Sequence, residues 1–264
     1  MMMITENDNK KPLILISNDD GYQADGIRTL MAVAREFGDV VVAAPMQQQS
    51  GKGSAITITS PLRAVEVKNE PGMRVFLISG TPADCVKLAL DQLLDGRHPD
   101  LVLAGINHGY NVGVSTLYSG TMGATFEGLV HHVPSVAFSY GDYRTPHTDF
   151  GVCVPFVRDI IARVLQQGLP NGICLNVNIP YDKGPIQGVK ITTTSMGLWT
   201  NEFERRTDPH GVEYYWMAGY YENETPDDDT TDIYWIDRGW VSVTPCKVDQ
   251  TARGVMGEIA DLLT

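Results

Sequence analysis

Four aliphatic residues, Leu13 to Ile16, run without interruption into Ser17-Asn18-Asp19-Asp20-Gly21. A short continuous apolar run stopped by turn residues marks a strand buried on both faces, and such strands belong to parallel sheets covered by helices. In an open sheet of that kind ligands sit just beyond the carboxyl ends of the strands, where both aspartates fall. Two adjacent carboxylates repel, and one is driven towards neutrality unless a cation lies between them or hydrogen bonds hold them. Asp19-Asp20 is therefore either a hard-cation site or a capped turn.

The segments that follow repeat the strand-then-polar-loop theme. Ile27, Leu30, Met31 and Ala34 mark one face of a helix ending at Gly38, and Val40 to Pro45 is a second buried strand, which completes a βαβ unit. Beyond it, the stretch from Met46 to Ser54 shares the sheet edge with the aspartates. Ser50 or Lys52 could reach a ligand there, or the stretch is a flexible polar loop. It is not a Walker A loop, because Met46 stands where the first glycine is needed and no Ser or Thr follows Lys52. Ala55 to Val67 predicts a hairpin-like pair of strands, and Val75 to Ile78 another buried strand. Thr81-Pro82-Ala83-Asp84 then opens a helix with Thr as N-cap, Pro in the first helical position and an acid in the third.

Asp100 to Asn107 repeats the opening pattern, an apolar strand ending in a polar side chain. His108 to Gly113 and Tyr118 to Thr121 precede a helix from about Thr121 to Val130. Glycines, amides and hydroxyls before a helix start form either an anion cradle or an ordinary capped loop. A strand at Val136–Ser139, a helix from about Phe150 to Gln167 and a strand at Ile173–Ile179 follow. From Pro180 the character changes: strand-like pieces near Val189–Thr194, Val212–Ala218 and Ile233–Ile236 alternate with charged turns, and all four tryptophans fall beyond this point. This predicts an antiparallel appendage that packs on the core or pairs with another subunit. Trp240 to Pro245 is read as a last core strand, and a short tail helix carries Val255, Ile259, Leu262 and Leu263. The expected division is a catalytic core over residues 1–180, an arm over 181–239, and the last core strand with the tail helix over 240–264.

Asp19, Asp20, Ser50 and Asn107 all follow strands of one sheet, so they can project into one crevice, and their side chains offer oxygen. That donor set suits Mg²⁺, Mn²⁺ or Ca²⁺ and disfavours zinc. A hard cation beside the Ser119-Gly120-Thr121 loop is the arrangement of a phosphomonoesterase. The net charge of −12 argues against polymeric nucleic acid as the main partner but permits a small phosphate ester, since one metal ion can invert the local sign. Cys85, Cys153, Cys174 and Cys246 have no CxxC spacing and read as reduced core thiols of a cytoplasmic protein. The polar segment from Met1 to Lys11 reads as a frayed tail rather than a signal peptide, and no run approaches membrane-spanning length.

Six blocks in order carry a resemblance. They are Leu15-Ile16-Ser17-Asn18-Asp19-Asp20-Gly21; Ala44-Pro45 through Gln49-Ser50-Gly51; Ser79-Gly80-Thr81-Pro82-Ala83-Asp84-Cys85-Val86; Pro99-Asp100-Leu101-Val102 through Gly105-Ile106-Asn107-His108-Gly109-Tyr110-Asn111-Val112-Gly113; Tyr118-Ser119-Gly120-Thr121 through Ala124 and Glu127-Gly128; and Val241-Ser242-Val243-Thr244-Pro245. The chain resembles the survival protein E (SurE) family of metal-dependent 5′-nucleotidases over nearly its whole length. The resemblance implies one divalent cation per subunit, Mg²⁺ or Mn²⁺, held by Asp19, Asp20, Ser50 and Asn107. It implies a phosphate pocket of Asn111, Ser119, Gly120 and Thr121, with Asp19, Asp20, Asn111 and Ser119 in catalysis. It further implies hydrolysis of nucleoside 5′-monophosphates, with 3′-nucleotides and short polyphosphate as side substrates. The implied fold is a Rossmann-like, mostly parallel three-layer α/β sandwich with a C-terminal antiparallel β-hairpin arm exchanged in a homodimer or homotetramer. Lys52 and Gly53 have no matching family role, and the arm varies too much for its residues to be carried over.

Other phosphatase chemistries fit poorly. Cys153 and Arg158 are separated by four residues where a cysteine phosphatase loop has five, and Arg97-His98-Pro99 lacks the following glycine of a histidine acid phosphatase. His108 is either a catalytic acid or a supporting side chain, with no carboxylate partner nearby in sequence. The rival classes are a nucleotide-binding module without catalysis and a dinucleotide oxidoreductase, the latter lacking a GxGxxG after the first strand. Attack by water and an aspartyl-phosphate intermediate are both open on sequence alone.

Overall fold

A computed structural model describes residues 11–141 and 148–264; the tail expected over the first ten residues lies outside them. Nine strands form the central sheet in the order β3-β4-β2-β1-β5-β6-β7-β13-β8. From the chain start these are β1 (Leu13–Ser17), β2 (Asp39–Pro45), β3 (Ala64–Glu70), β4 (Met73–Ile78), β5 (Leu101–His108), β6 (Ser135–Tyr140), β7 (Cys174–Ile179) and β8 (Val189–Ile191). Strands β9 (Gly197–Thr200), β10 (Phe203–Thr207), β11 (Glu213–Met217) and β12 (Tyr220–Asn223) form the arm, and β13 (Val241–Cys246) returns to the sheet. The run β4-β2-β1-β5-β6-β7 is parallel throughout. Antiparallel partners flank it: β3 on β4, and β13 on β7.

The uninterrupted apolar strands are explained by burial on both faces. Ile14 and Ile16 pack with α1 (Asp25–Ala34) and α4 (Val154–Gln167), while Leu13 and Leu15 share the opposite layer with α2 (Pro82–Leu88). Helix α3 (Gly120–Val130) lies on that second face against β5 and β6. The resulting architecture is a Rossmann-like three-layer sandwich. At the start of α2 the expected cap is present in full. The Thr81 hydroxyl accepts from the Asp84 N–H, and the Asp84 carboxylate accepts from the Thr81 N–H, an arrangement worth about 1 kcal/mol.

Two expectations need correction. Ala55 to Val67 is not a hairpin: only Ala64 onward is a strand, and its partner is the downstream β4. The preceding segment is diverted from any ladder because Thr57 donates its N–H and hydroxyl to Asp84, and the Ala55 carbonyl accepts from Thr81. Ile233–Ile236 is helical, within α5 (Asp232–Ile236), because the Asp232 carboxylate accepts the Ile233 N–H at 2.8 Å and starts the turn. A short apolar run has no periodicity long enough to distinguish the two states.

The remaining C-terminal pieces sort between sheet and arm. Strand β8 joins the edge of the central sheet alongside β13. The antiparallel pairs β9–β12 and β10–β11 project from it, and α6 (Met256–Leu263) ends the chain with Ile259, Leu262 and Leu263 exposed. The four cysteines are free thiols. Cys85, Cys153 and Cys174 are buried and Cys246 is half-buried. Among the described residues no helix is long and apolar enough to cross a membrane.

Candidate active site

Strand order reverses beside β1. The chain runs outward through β2 and β4 on one side and returns through β5, β6 and β7 on the other. Loops after β1 and β5 therefore diverge and leave a crevice between them, as open α/β sheets do at such a switch point. A cavity of about 590 Å³ fills it, and Asp19, Asp20, Ser50, Asn107, Asn111 and Ser119 are among its lining residues.

Asp19 is 5% exposed and accepts the Thr121 hydroxyl at 2.6 Å. It sits against the start of α3 because Gly120 has no side chain: a Cβ there would lie 2.8 Å from the Asp19 Cβ. Burial, and then the neighbouring Asp20 charge, push the Asp19 carboxyl up to about 6. Asp20 accepts the backbone N–H of His108 at 3.1 Å, and burial raises its pKa too, against the lowering effect of that bond. Two carboxylates thus sit side by side, Asp19 buried and Asp20 half-buried, and among the described residues neither has a Lys or Arg ion pair.

The loop after β2 is docked, not free. Gln49 donates its N–H to the Asp19 carbonyl at 2.8 Å, and Gly53 donates to the Tyr118 carbonyl at 2.9 Å. These bonds bring Ser50 to the crevice, where its hydroxyl accepts from Gln48 at 3.0 Å. Lys52 is exposed and does not line the cavity. Asn107, at the end of β5, donates its amide N–H to the Gly109 carbonyl at 2.7 Å, which leaves the side-chain oxygen as the uncommitted atom.

Asn111 is held from three directions. Its side chain donates to Ser139 at 2.8 Å, its backbone N–H donates to the Asn178 side chain at 2.8 Å, and its carbonyl accepts from Asn176 and Asn178. One N–H of its side-chain amide remains for a ligand. Ser119 caps α3, accepting from the Met122 N–H at 3.1 Å. The Gly120 and Thr121 N–H groups fall in the first turn, where helix geometry supplies no intrahelical partner. The Thr121 hydroxyl itself is buried beneath the crevice and spent on Asp19.

The donor chemistry fits a hard cation. Asp19, Asp20, Ser50 and Asn107 line one cavity with side-chain oxygens, and a positive charge there would offset the burial and repulsion that raise the Asp pair. Among the described residues no three His, Cys, Asp or Glu side chains gather to hold an ion. A cation here would therefore rest on two carboxylates and neutral oxygens, as a Mg²⁺-type ion does, with waters completing its shell.

His108 supports the rim: its ring is 2.9 Å from the Thr148 hydroxyl and packs edge-on to Phe150. Arg158 forks onto Glu36 with both bonds at 2.7 Å, and burial pushes the Cys153 thiol well above its ordinary range, so this pair makes no thiolate phosphate loop. Sequence reasoning missed Asn176, Asn178 and Ser139. Their signal was available: two asparagines alternate on β7, whose neighbours are apolar, and a buried amide demands a partner. Trp199 and Tyr221 from the arm also line the cavity and were not named.

Fold and crevice together define a Rossmann-like α/β protein with a crevice at the switch point of its sheet, lined by Asp19, Asp20, Ser50 and Asn107. A family model described as Survival protein SurE matches residues 14–201. A protein of Cytophaga hutchinsonii described as 5′-nucleotidase SurE is 47% identical over 250 residues, covering 94% of this chain and 96% of its own length. A Bacteroides thetaiotaomicron protein of the same description is 43% identical over 254 residues, covering 96% of each. The crystal structure of the SurE protein from Aquifex aeolicus superposes with a TM-score of 0.81 at 37% identity, covering 96% of this chain and all of that one. The chain belongs to the SurE family.

Proposed function

We propose that the chain is a divalent-metal-dependent phosphomonoesterase that hydrolyses nucleoside 5′-monophosphates to nucleoside and phosphate, with 3′-nucleotides and short polyphosphate as lesser substrates. The observation that supports this reading is that the carboxylates of Asp19 and Asp20 line one cavity with Asn111 and with Ser119, the cap residue of α3. The 5′-nucleotidase description of relatives matched end to end supports the same activity. Asp19, Asp20, Ser50 and Asn107 would hold Mg²⁺ or Mn²⁺. When bound, that ion supplies Lewis-acid polarisation of a phosphoryl oxygen and offsets developing charge.

The chain's own groups do the rest. Asn111 and the N–H groups of Gly120 and Thr121 stabilise the equatorial phosphoryl oxygens, and Ser119 keeps the helix start in place. Asp20 orients the attacking water and takes its proton. Water attack is favoured over a phosphorylated Asp19 because that carboxylate is buried and accepts the Thr121 hydroxyl. The exposed apolar residues of β10 and β11 support an arm that joins copies of the chain into a dimer or tetramer. Residues 1–180 would form the catalytic core, 181–239 that arm apart from β8, which pairs with β13 at the sheet edge, and 240–264 the last core strand and tail helix, in a cytoplasmic protein.

Phosphate release from AMP, measured with and without chelator, tests the reading. Release should fall at least ~100-fold on chelation and return with added Mg²⁺ or Mn²⁺. Undiminished release in excess chelator, or none under any metal, contradicts it.

A further inference from the structure

Asp232 is a carboxylate that the chemistry above leaves unused, and it is fully buried. Four donors meet it, unequally divided between its oxygens. Oδ1 accepts the Ser195 N–H at 3.0 Å, the Ser195 hydroxyl at 2.6 Å and the Ile233 N–H at 2.8 Å. All three belong to the root of the arm, just before β9 and at the start of α5. Oδ2 accepts the Gly113 N–H at 2.9 Å, from a loop 119 residues earlier in the chain. Capping one helical turn needs no carboxylate, since a serine or asparagine does as well. Burying one is costly unless its lone pairs are met. What a carboxylate supplies, and an amide of the same length cannot, is an acceptor on both sides at once.

Resting on the phosphomonoesterase reading of the crevice, we propose that Asp232 is a positioning residue, whose carboxylate sets the turn at Gly113 and through it the Asn111 amide. Gly113 is where that loop changes direction: its φ is +53°, and it starts a short 3₁₀ helix, Gly113–Leu117. Asn111 lies just before the turn and Ser119 just after that helix, and both line the crevice. The turn therefore joins the two sides of the phosphate pocket. It is also pressed against the arm's root, since a Cβ at Gly113 would lie 2.5 Å from the Tyr221 hydroxyl and 3.1 Å from the Ser195 carbonyl. Asn176 and Asn178 hold the backbone of Asn111 from β7. Asp232 holds the far side of the same short segment, so that Asn111 is fixed between two anchors. Loss of the second leaves the turn free to shift while the strands beneath it stay packed.

Asp232→Asn is the discriminating variant. Its amide oxygen can still accept from Ser195 and Ile233, but its NH₂ then meets the Gly113 N–H, donor against donor. Ser195→Ala is the control, because it removes a bond from the same carboxylate on the arm side and leaves the Gly113 bond intact. With AMP, Asp232→Asn should lower kcat about tenfold or more, by a larger factor than it raises KM, whereas Ser195→Ala should stay near the wild-type rate. Equal losses in the two variants, an unchanged kcat in Asp232→Asn, or an Asp232→Asn chain that does not fold overturn the assignment. Should the wild type release no phosphate, the activity reading fails, and hydrogen–deuterium exchange decides the anchor separately. Faster exchange over residues 111–119 in Asp232→Asn, with β1 and β5 unchanged and no such effect in Ser195→Ala, supports it. Wild-type exchange over that segment in Asp232→Asn overturns it.

Discussion

Asp19→Asn should lower phosphate release from AMP by about 1000-fold and, at the same time, raise the melting temperature of the metal-free protein. The two effects have one cause. A carboxylate buried beside a second one is costly unless a cation is present, and an amide keeps the shape and can still accept from Thr121 without the charge. Raising the Asp19 carboxyl from 3.8 to about 6 corresponds to roughly 3 kcal/mol of unfavourable ionisation at neutral pH. The sign follows from proton binding. The folded chain holds this proton more tightly than the unfolded chain, so the metal-free protein loses stability as pH rises from about 4 through about 6. The difference in melting temperature between wild type and Asp19→Asn, both in chelator, should therefore grow across that interval. A variant that melts below the wild type at pH 7.5 would mean that the carboxylate stabilises the fold by itself.

Gly120→Ala, the second large effect, adds one methyl group and no charge. Its Cβ would lie 2.8 Å from the Asp19 Cβ, 3.1 Å from an Asp19 carboxylate oxygen and 3.1 Å from Pro82. The Asp19 backbone cannot retreat freely, since its carbonyl accepts the Gln49 N–H that docks the Ser50 loop. Displacement must pass into the carboxylate or into that loop. A loss of about 100-fold in kcat is expected, the scale of a misplacement near 1 Å, with destabilisation of about 1–3 kcal/mol from overpacking. Circular dichroism and the melting curve separate misplacement from unfolding. Activity within a few-fold of wild type would show that the contact between Asp19 and the helix start is not needed.

The parallel core was legible because burial on both faces leaves an unmistakable pattern. Leu13–Ile16, Val40–Ala44 and Leu101–Ala104 are apolar without alternation, and each ends in the polar residues that now line or border the crevice. Thr81 and Asp84 were equally plain, since a capping box is a local device. What sequence patterning lost was long-range. Thr57 turns away from any ladder to bond Asp84, 27 residues on, and Ile233 begins a helix because the adjacent Asp232 is buried where it also accepts from Gly113 and Ser195. The same limit applies to the site. Asp19, Asp20 and Asn107 were visible as strand-end residues, whereas Asn176 and Asn178 act through the backbone of Asn111, some 65 residues earlier. Trp199 lines the cavity beside Tyr118, some 80 residues earlier, a proximity that no local pattern encodes.

Four oxygen-bearing side chains, from the loops after β1 and β2 and from the end of β5, are proposed to hold one divalent ion. Titration of the chelator-stripped protein with Mn²⁺, read by the loss of the free-ion signal in electron paramagnetic resonance, tests it directly. One tight ion per chain is expected in the wild type, lost in Asp20→Asn and bound more weakly in Asn107→Ala. No saturable binding by the wild type, or undiminished binding in Asp20→Asn, would contradict it.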